Sequence, residues 1–330
     1  MAMTPGVIDN FDSIARQLDN PGSPSPEHLD LNALRLLHHY STSSYATLDR
    51  ITSQHHIWQH FMVQLGFEHK YVLRGILAIA ALHIAAVDRT SIAGMLIQAS
   101  TQYNRGLRDF RTELRAMSTK NSIPIVAFSC FTVINAFAAG QVTVLQKPIS
   151  DLLNCLGLIR GVGSVMRPYW YSLLQSELRP ILDNGWMCGV SGEVPELLRL
   201  KSLIQSVITF TNPHMATKYN AAVEKLHEVI LEIQSAVEHR STLALLFIWP
   251  TELSEEFMSC LVEQEPVSLI ILAHFAAILS YARDIWWVKG WDEYIISNVD
   301  ECLPPDLRTW LDWPKQISQA ANQDGSPLGA

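Results

Sequence analysis

Two stretches of this chain, residues 123–139 (IPIVAFSCFTVINAFAA) and 267–282 (VSLIILAHFAAILSYA), contain no Asp, Glu, Lys or Arg. A helix built from either has no polar face, so it must be covered on every side, by lipid or by other helices. Each falls short of the ~18 to 20 apolar residues that a bilayer requires. Each also carries polar groups: Ser129, Thr132 and Asn135 in the first, Ser268, His274 and Ser280 in the second. Both are therefore expected to be buried core helices, with no membrane span. Hydrophobic residues make up 48% of the chain and charged residues only 17%, so the average helix too must be covered on more than one face. With 330 residues there is chain enough to do this. The expected fold is all-α, a single multilayer helical domain of roughly a dozen helices.

Breakers divide the chain without any composition shift that would mark a second domain, and no internal repeat of fixed period occurs. Residues 1–27, with Pro5, Gly6 and the run Pro21-Gly22-Ser23-Pro24-Ser25-Pro26, are expected to form a disordered N-terminal tail or linker. Ser25 and Pro26 suit an N-cap and first helical position. The helical domain is expected over 28–318 and a disordered C-terminal tail over 319–330. Within the domain, Leu34, Leu37, Ser41 and Tyr45 recur at helical spacing, as do Leu226, Val229, Ile230, Ile233 and Val237. Gly66, Gly161 to Gly163, Pro250 and Pro314 are among the expected helix boundaries. Residues 185–195 (GWMCGVSGEVP) should form a loop connector.

Charge and motif content exclude several functions. A formal charge of −8 gives no footing for phosphate contacts, so direct nucleic-acid binding is not expected. Arg105, Arg108, Arg111 and Arg115 share one helical face with Asp109 and Glu113 and are expected to form a solvated, ion-paired surface. Cys130, Cys155, Cys188, Cys260 and Cys302 include no CxxC pair and are expected to be buried thiols rather than a zinc site or disulfide framework. The first residues have no basic region followed by an apolar run, which points to an intracellular chain. His56 and His60 lie one helical turn apart, but no Glu stands between them as in HExxH and no third ligand is evident, so no metal site is assigned. GxSxG and GxxxxGK[ST] are absent, and Gly161-Val162-Gly163-Ser164 follows a helix rather than a strand. No catalytic residue and no cofactor are assigned; His83 and His274 are the apolar-helix histidines that an enzyme would have to use. Trp286, Trp287, Trp291, Trp310 and Trp313 cluster near the C-terminus, where large rings fill a core or wall a cavity.

Several segments, in order, resemble the regulatory domain of fungal zinc binuclear cluster (Zn2Cys6) transcription factors, especially those similar to sterol uptake control protein. They are residues 34–40 (LRLLHHY), Trp58, 71–85 (YVLRGILAIAALHIA), 157–163 (GLIRGVG), 272–279 (LAHFAAIL), 285–291 (IWWVKGW) and 310–314 (WLDWP). The resemblance implies an all-α domain that regulates transcription, in some members by binding a sterol or other apolar small molecule, and that acts as a homodimer or a heterodimer with a DNA-binding regulator. It implies a nuclear, otherwise cytoplasmic, location. The six-cysteine cluster and basic arm that such factors carry are not found in this sequence. Helix hydrophobicity, rather than any family motif, nominates Leu77, Ala81, Phe128, Phe131, Phe275 and Trp287 as pocket-lining residues. The alternatives are a dimerising co-regulator with no small ligand and, behind it, an enzyme of secondary metabolism.

Overall fold

The computed structural model describes residues 30–143, 147–182, 192–207, 212–235 and 241–324. Every regular element among them is helical. The order is α1 (Leu31–Thr42), α2 (Met62–Glu68), α3 (Lys70–Val87), α4 (Ile92–Arg115), α5 (Ser122–Val142), α6 (Pro148–Met166), α7 (Trp170–Leu174), α8 (Arg179–Leu182), α9 (Pro195–Val207), α10 (Pro213–Ser235), α11 (Thr242–Glu252), α12 (Glu255–Val262), α13 (Pro266–Leu279), α14 (Trp291–Cys302) and α15 (Asp312–Asp324). Short 3-10 turns and one π-helical turn, Ile57–Phe61, join them. The tail expected over 1–27, the cap at Ser25 and most of the 185–195 loop lie outside the described residues. At the other end α15 runs to Asp324, past the expected boundary at 318.

The two apolar stretches are the hubs. Every residue of α13 from Val267 to Leu279 is buried, enclosed by α10, α12, α14 and α15. α5 is covered by α3, α4 and α6. By length and composition three described helical segments, Lys70–Val87, Ser122–Val142 and Pro148–Leu174, would suffice to cross a bilayer. α5 is thus longer than its apolar core suggested, and length alone does not exclude a span. The faces of α3 and α5 are nevertheless taken up by protein, each being 67% buried. Pro148–Leu174 is only 28% buried and is amphipathic, with Arg160 reaching the carbonyl of Leu253 and the carboxylate of Glu255.

Local chemistry places the helix starts. Asp30, Ser241 and Ser254 cap α1, α11 and α12, accepting from the backbone N–H of Ala33, Ala244 and Phe257. Pro148 and Pro266 occupy the first turns of α6 and α13, where a missing N–H costs nothing. The same tolerance explains why Pro314 sits inside α15 instead of ending a helix. Gly161 to Gly163 and Gly66 also fall inside helices, α6 and α2. Close approach is the reason at Gly163, where a Cβ would come within 2.9 Å of Thr251 on α11, and at Gly66, where it would meet Leu73 at 3.2 Å. α1 is turned so that Leu36 and Tyr40 are buried while Leu34 is 46% exposed. Arg105, Arg108, Arg111 and Arg115 are exposed as expected, but no ion pair ties them to Asp109 or Glu113 among the described residues. Among the cysteines, Cys155 and Cys260 are buried whereas Cys302 is exposed.

α4 contains a matched pair of glycines. At Gly106 a Cβ would meet the Arg74 Cβ at 2.9 Å, Phe128 at 3.0 Å and the Tyr71 carbonyl at 3.2 Å, whereas at Gly94 it would meet nothing within 4 Å. Gly106→Val should lower stability by about 1–3 kcal/mol through overpacking, while Gly94→Ala should raise it by up to about 1 kcal/mol through helix propensity. Urea denaturation of the two variants checks this.

Two histidines are held neutral in the interior. His274 donates from Nδ1–H to the Ile270 carbonyl at 2.8 Å and stacks on Trp313 at 5.3 Å. Burial lowers its pKa to about 4. His83, 3.0 Å from His39 and 3.1 Å from the Ser44 hydroxyl, is lowered to about 4 by burial and then by His39. Between pH ~6.5 and ~4 the unfolded chain binds these protons and the native chain does not, so stability falls as pH drops through that window. At ~1.4 kcal/mol per pKa unit the loss is of order 3 kcal/mol for each histidine at most. His274→Phe, which retains the stack, should flatten the slope of stability against pH measured by chemical denaturation.

Candidate functional site

A cavity of about 480 Å³ opens between α5, α6 and α11, within the usual size range of small-molecule sites. α5 contributes Cys130, Val133 and Ile134; α6 contributes Ile159, Val162, Gly163 and Met166; α11 contributes Ala244, Phe247, Ile248 and Thr251. The irregular chain before α2 adds Leu48, Asp49 and Trp58, and Trp287 closes the wall from before α14. Leu48, Asp49, Trp58, Ser241 and Trp287 are themselves buried, while Arg167 and Trp170 are exposed. The inner end therefore lies at Asp49 and Trp287, and the opening lies beside the Arg167–Tyr169 turn.

The physical reason for a gap here is the pattern of the walls. α6 buries one side only, through Ile149, Leu152, Cys155, Leu156 and Ile159. Its last turns face α11 across the Gly163–Thr251 contact, which sets how closely the two helices approach. Trp287 is locked by its indole N–H donating to the Leu48 carbonyl at 3.3 Å and by edge contact with Phe137 at 5.8 Å. Trp291 donates to the Phe137 carbonyl at 3.2 Å. The segment carrying both rings is anchored in turn by Arg283, which pairs with the fully buried Asp292.

The inner end holds a buried carboxyl, Asp49, and a buried hydroxyl, Ser241, while Thr251 lies on the α11 wall and Arg167 at the opening. Asp49 is 6% exposed; its Oδ1 accepts from the Ile51 N–H at 3.3 Å and its Oδ2 from the Ser241 hydroxyl at 3.1 Å. Burial raises its pKa, and these bonds offset part of that rise. The neighbouring cation is turned away, Arg50 pairing with Asp284 at 2.8 Å and donating to the Tyr281 carbonyl. Trp58 lies in the π-helical turn, a feature frequent at functional sites, and its buried indole N–H has no hydrogen-bond partner among the described residues. Cys130 also lines the cavity, but burial pushes its thiol up to about 12, so it is no nucleophile at neutral pH.

Of the residues nominated by helix hydrophobicity, Trp287 lines the cavity. Phe131 stands behind it, in edge contact with Trp58 at 6.0 Å. Phe128 packs on Phe110 at 4.8 Å and Phe275 on Trp249 at 4.5 Å, while Leu77 and Ala81 are buried in α3. None of these five is in the lining. Asp49, Ser241 and Thr251 were not nominated, because nothing in their local sequence sets them apart from ordinary turn and cap residues. His83 and His274 lie outside the cavity, and among the described residues no histidine lines it. Among the described residues no three potential metal ligands converge; His56 bonds the Ser53 carbonyl instead.

No family model matches the chain. It is 24% identical over 319 residues to a Zn(2)-C6 fungal-type transcription factor of Gibberella zeae, an alignment covering 89% of this chain and 63% of the relative. It is 20% identical over 292 residues to sterol uptake control protein 2 of Saccharomyces cerevisiae, covering 83% of this chain and 31% of the relative. With the orsellinic acid/F9775 biosynthesis cluster protein D of Emericella nidulans the identity is 21% over 322 residues, 87% of this chain and 61% of that protein. The chain spans less than two thirds of the length of each. Over most of its residues, this helical chain is a homologue of fungal Zn(2)-C6 transcription factors and sterol uptake control proteins.

Proposed function

We propose that this chain is a transcription-regulating domain of fungal type whose state responds to an apolar small molecule held in the α5–α6–α11 cavity. The cavity carries the proposal: it is large enough for a ligand, walled by Val, Ile, Met, Phe and Trp side chains, and polar at one end. The names of the relatives support a transcription-regulator-like role and, with it, a nuclear location and no enzymatic activity. The sterol-related name of two relatives makes sterols the first class to test.

Occupancy would be linked to regulation through the walls. Three separate stretches of chain, the segment before α2, the α6–α8 region and the segment before α14, each contribute lining residues, so a bound molecule would touch all three. Ligand bound to the native state adds stability by mass action, about 2.7 kcal/mol at 100 times the dissociation constant.

A second reading is favoured by a separate observation. Leu31 and Leu34, 58% and 46% exposed, border a shallow groove on α1 with His38 and Ile84. Such a patch suits a dimerising partner, either a second copy or a DNA-binding regulator.

Native mass spectrometry with lipid extraction tests both. The expected outcome is a stoichiometric apolar molecule that is lost in Ala244→Phe, which places a ring in the cavity without touching α1. A dimer with no retained molecule, and no thermal shift with a panel of sterols, would leave the co-regulator reading in its place.

A further inference from the structure

The two charged groups of the cavity lining differ in what the protein already provides for them. Asp49, at the inner end, accepts from the Ile51 N–H at 3.3 Å, the Ser241 hydroxyl at 3.1 Å and the Arg50 N–H, with His55 beside it. That carboxyl asks nothing of a guest. The walls between it and the opening are apolar, formed by Val133, Ile134, Ile159, Val162, Met166 and Phe247. Arg167 is the one basic residue lining the cavity among the described residues. It is exposed at the mouth, and no described residue pairs with its guanidinium. Its backbone, by contrast, is fixed. The Arg167 N–H donates to the Gly163 carbonyl at the end of α6, and two residues on the Tyr169 hydroxyl donates to the Met117 carbonyl at 3.1 Å. The turn therefore holds a permanently charged group at the rim, next to the half-exposed ring of Trp170, and gives it no partner.

We infer that the cavity takes an apolar acid, its tail entering between α5, α6 and α11 and its carboxylate staying at the mouth on Arg167. This rests on the proposal that the cavity is a ligand site. The orientation follows from the charges. A carboxylate carried inward would lose its water and approach Asp49, and both cost free energy. At the mouth it keeps part of its hydration and meets a guanidinium whose planar fork matches it. A neutral head group leaves Arg167 unused, and a cationic one is repelled by it. Arg167 also stands at the C-terminus of α6, where a cation is favoured by the helix dipole. That structural role is indifferent to the charge of a bound molecule, so the charge of the ligand is the quantity to vary.

The test uses the whole chain and three probes of equal chain length: decanoate, decan-1-ol and decyltrimethylammonium, with dissociation constants read by calorimetry below the micellar range. Arg167→Gln is expected to weaken decanoate about five-fold, the upper range for an exposed ion pair, and to leave decan-1-ol within about two-fold. Arg167→Glu should weaken decanoate further and tighten decyltrimethylammonium, a reversal that a purely structural arginine would not produce. Added salt should weaken decanoate and spare the alcohol. Because Arg167 is exposed, both variants are expected to fold, which urea denaturation checks. Ala244→Phe, which fills the cavity, should abolish binding of decanoate; binding that survives it places the acid elsewhere and overturns the inference. Decanoate affinity unchanged by Arg167→Gln, an equal loss for acid and alcohol, or binding of the alcohol without the acid also overturns it and leaves the cavity as a ligand site. If none of the three binds the unaltered chain, the ligand-site proposal itself fails.

Discussion

The fold depends on covering helices that have no polar side. α13 is buried from Val267 to Leu279 without interruption, and each apolar side chain left in water there would forfeit about 1.5–3 kcal/mol. No pairing with a single partner helix can cover such a surface. The chain surrounds α13 with α10, α12, α14 and α15 and surrounds α5 with α3, α4 and α6. Two enclosed helices in one chain then have to be joined, and the tryptophans before and at the start of α14 do this. Trp287 and Trp291 reach from the C-terminal half to the carbonyls of Leu48 and Phe137. Each combines a large apolar ring with a polar handle, so each buries area while its own N–H finds a carbonyl acceptor.

This arrangement also explains where empty space can persist. A helix buried along its whole length, as α13 is, interdigitates with its neighbours at crystal-like density and leaves no room for a guest. Space remains where a one-sided helix, such as α6, meets irregular chain that lacks the regular ridges needed to fill the facing grooves. The stretch from Leu48 to Phe61, with a 3-10 turn followed by a π turn, is that irregular wall. The cavity is thus a consequence of the same hydrophobic pattern that builds the core, displaced to its margin.

The sequence disclosed the architecture well because burial on all sides has an unmistakable signature: helix-length runs without charge. It disclosed the cavity poorly for the same reason. Leu77, Phe128 and Phe275 come from the most apolar helices, and those helices fill themselves, Phe275 against Trp249 and Phe128 against Phe110. Trp287 was accessible to sequence reasoning because its neighbourhood is dense in aromatic residues and a wall needs large rings. Glycine misled in a different manner. Gly163 is indistinguishable in sequence from a helix stop, yet its role is to admit Thr251 of a helix far along the chain, a contact that no local pattern encodes.

Some departures from local rules fall in the irregular stretch that walls the cavity. Asp49 is a buried carboxyl whose sequence neighbour Arg50 points elsewhere; Trp58 sits in a π turn and, with Gln54, contributes buried polar atoms without partners to the same short stretch. An unsatisfied buried polar group carries a penalty of about 1–3 kcal/mol, and at Trp58 the burial of its ring against Phe131 works against that cost. Polar pairs elsewhere show the contrast. Arg283 and Asp292 are also buried, but they tie the Trp287 segment to α14 and reach Ser318 on α15, so their burial serves the architecture. Sequences are consistent across levels except where function demands otherwise. By that physical criterion the buried Asp49 carboxyl and the Trp58 indole are departures at the wall of the cavity, alongside the Tyr71 hydroxyl and the Trp286 indole N–H, which lack partners among the described residues.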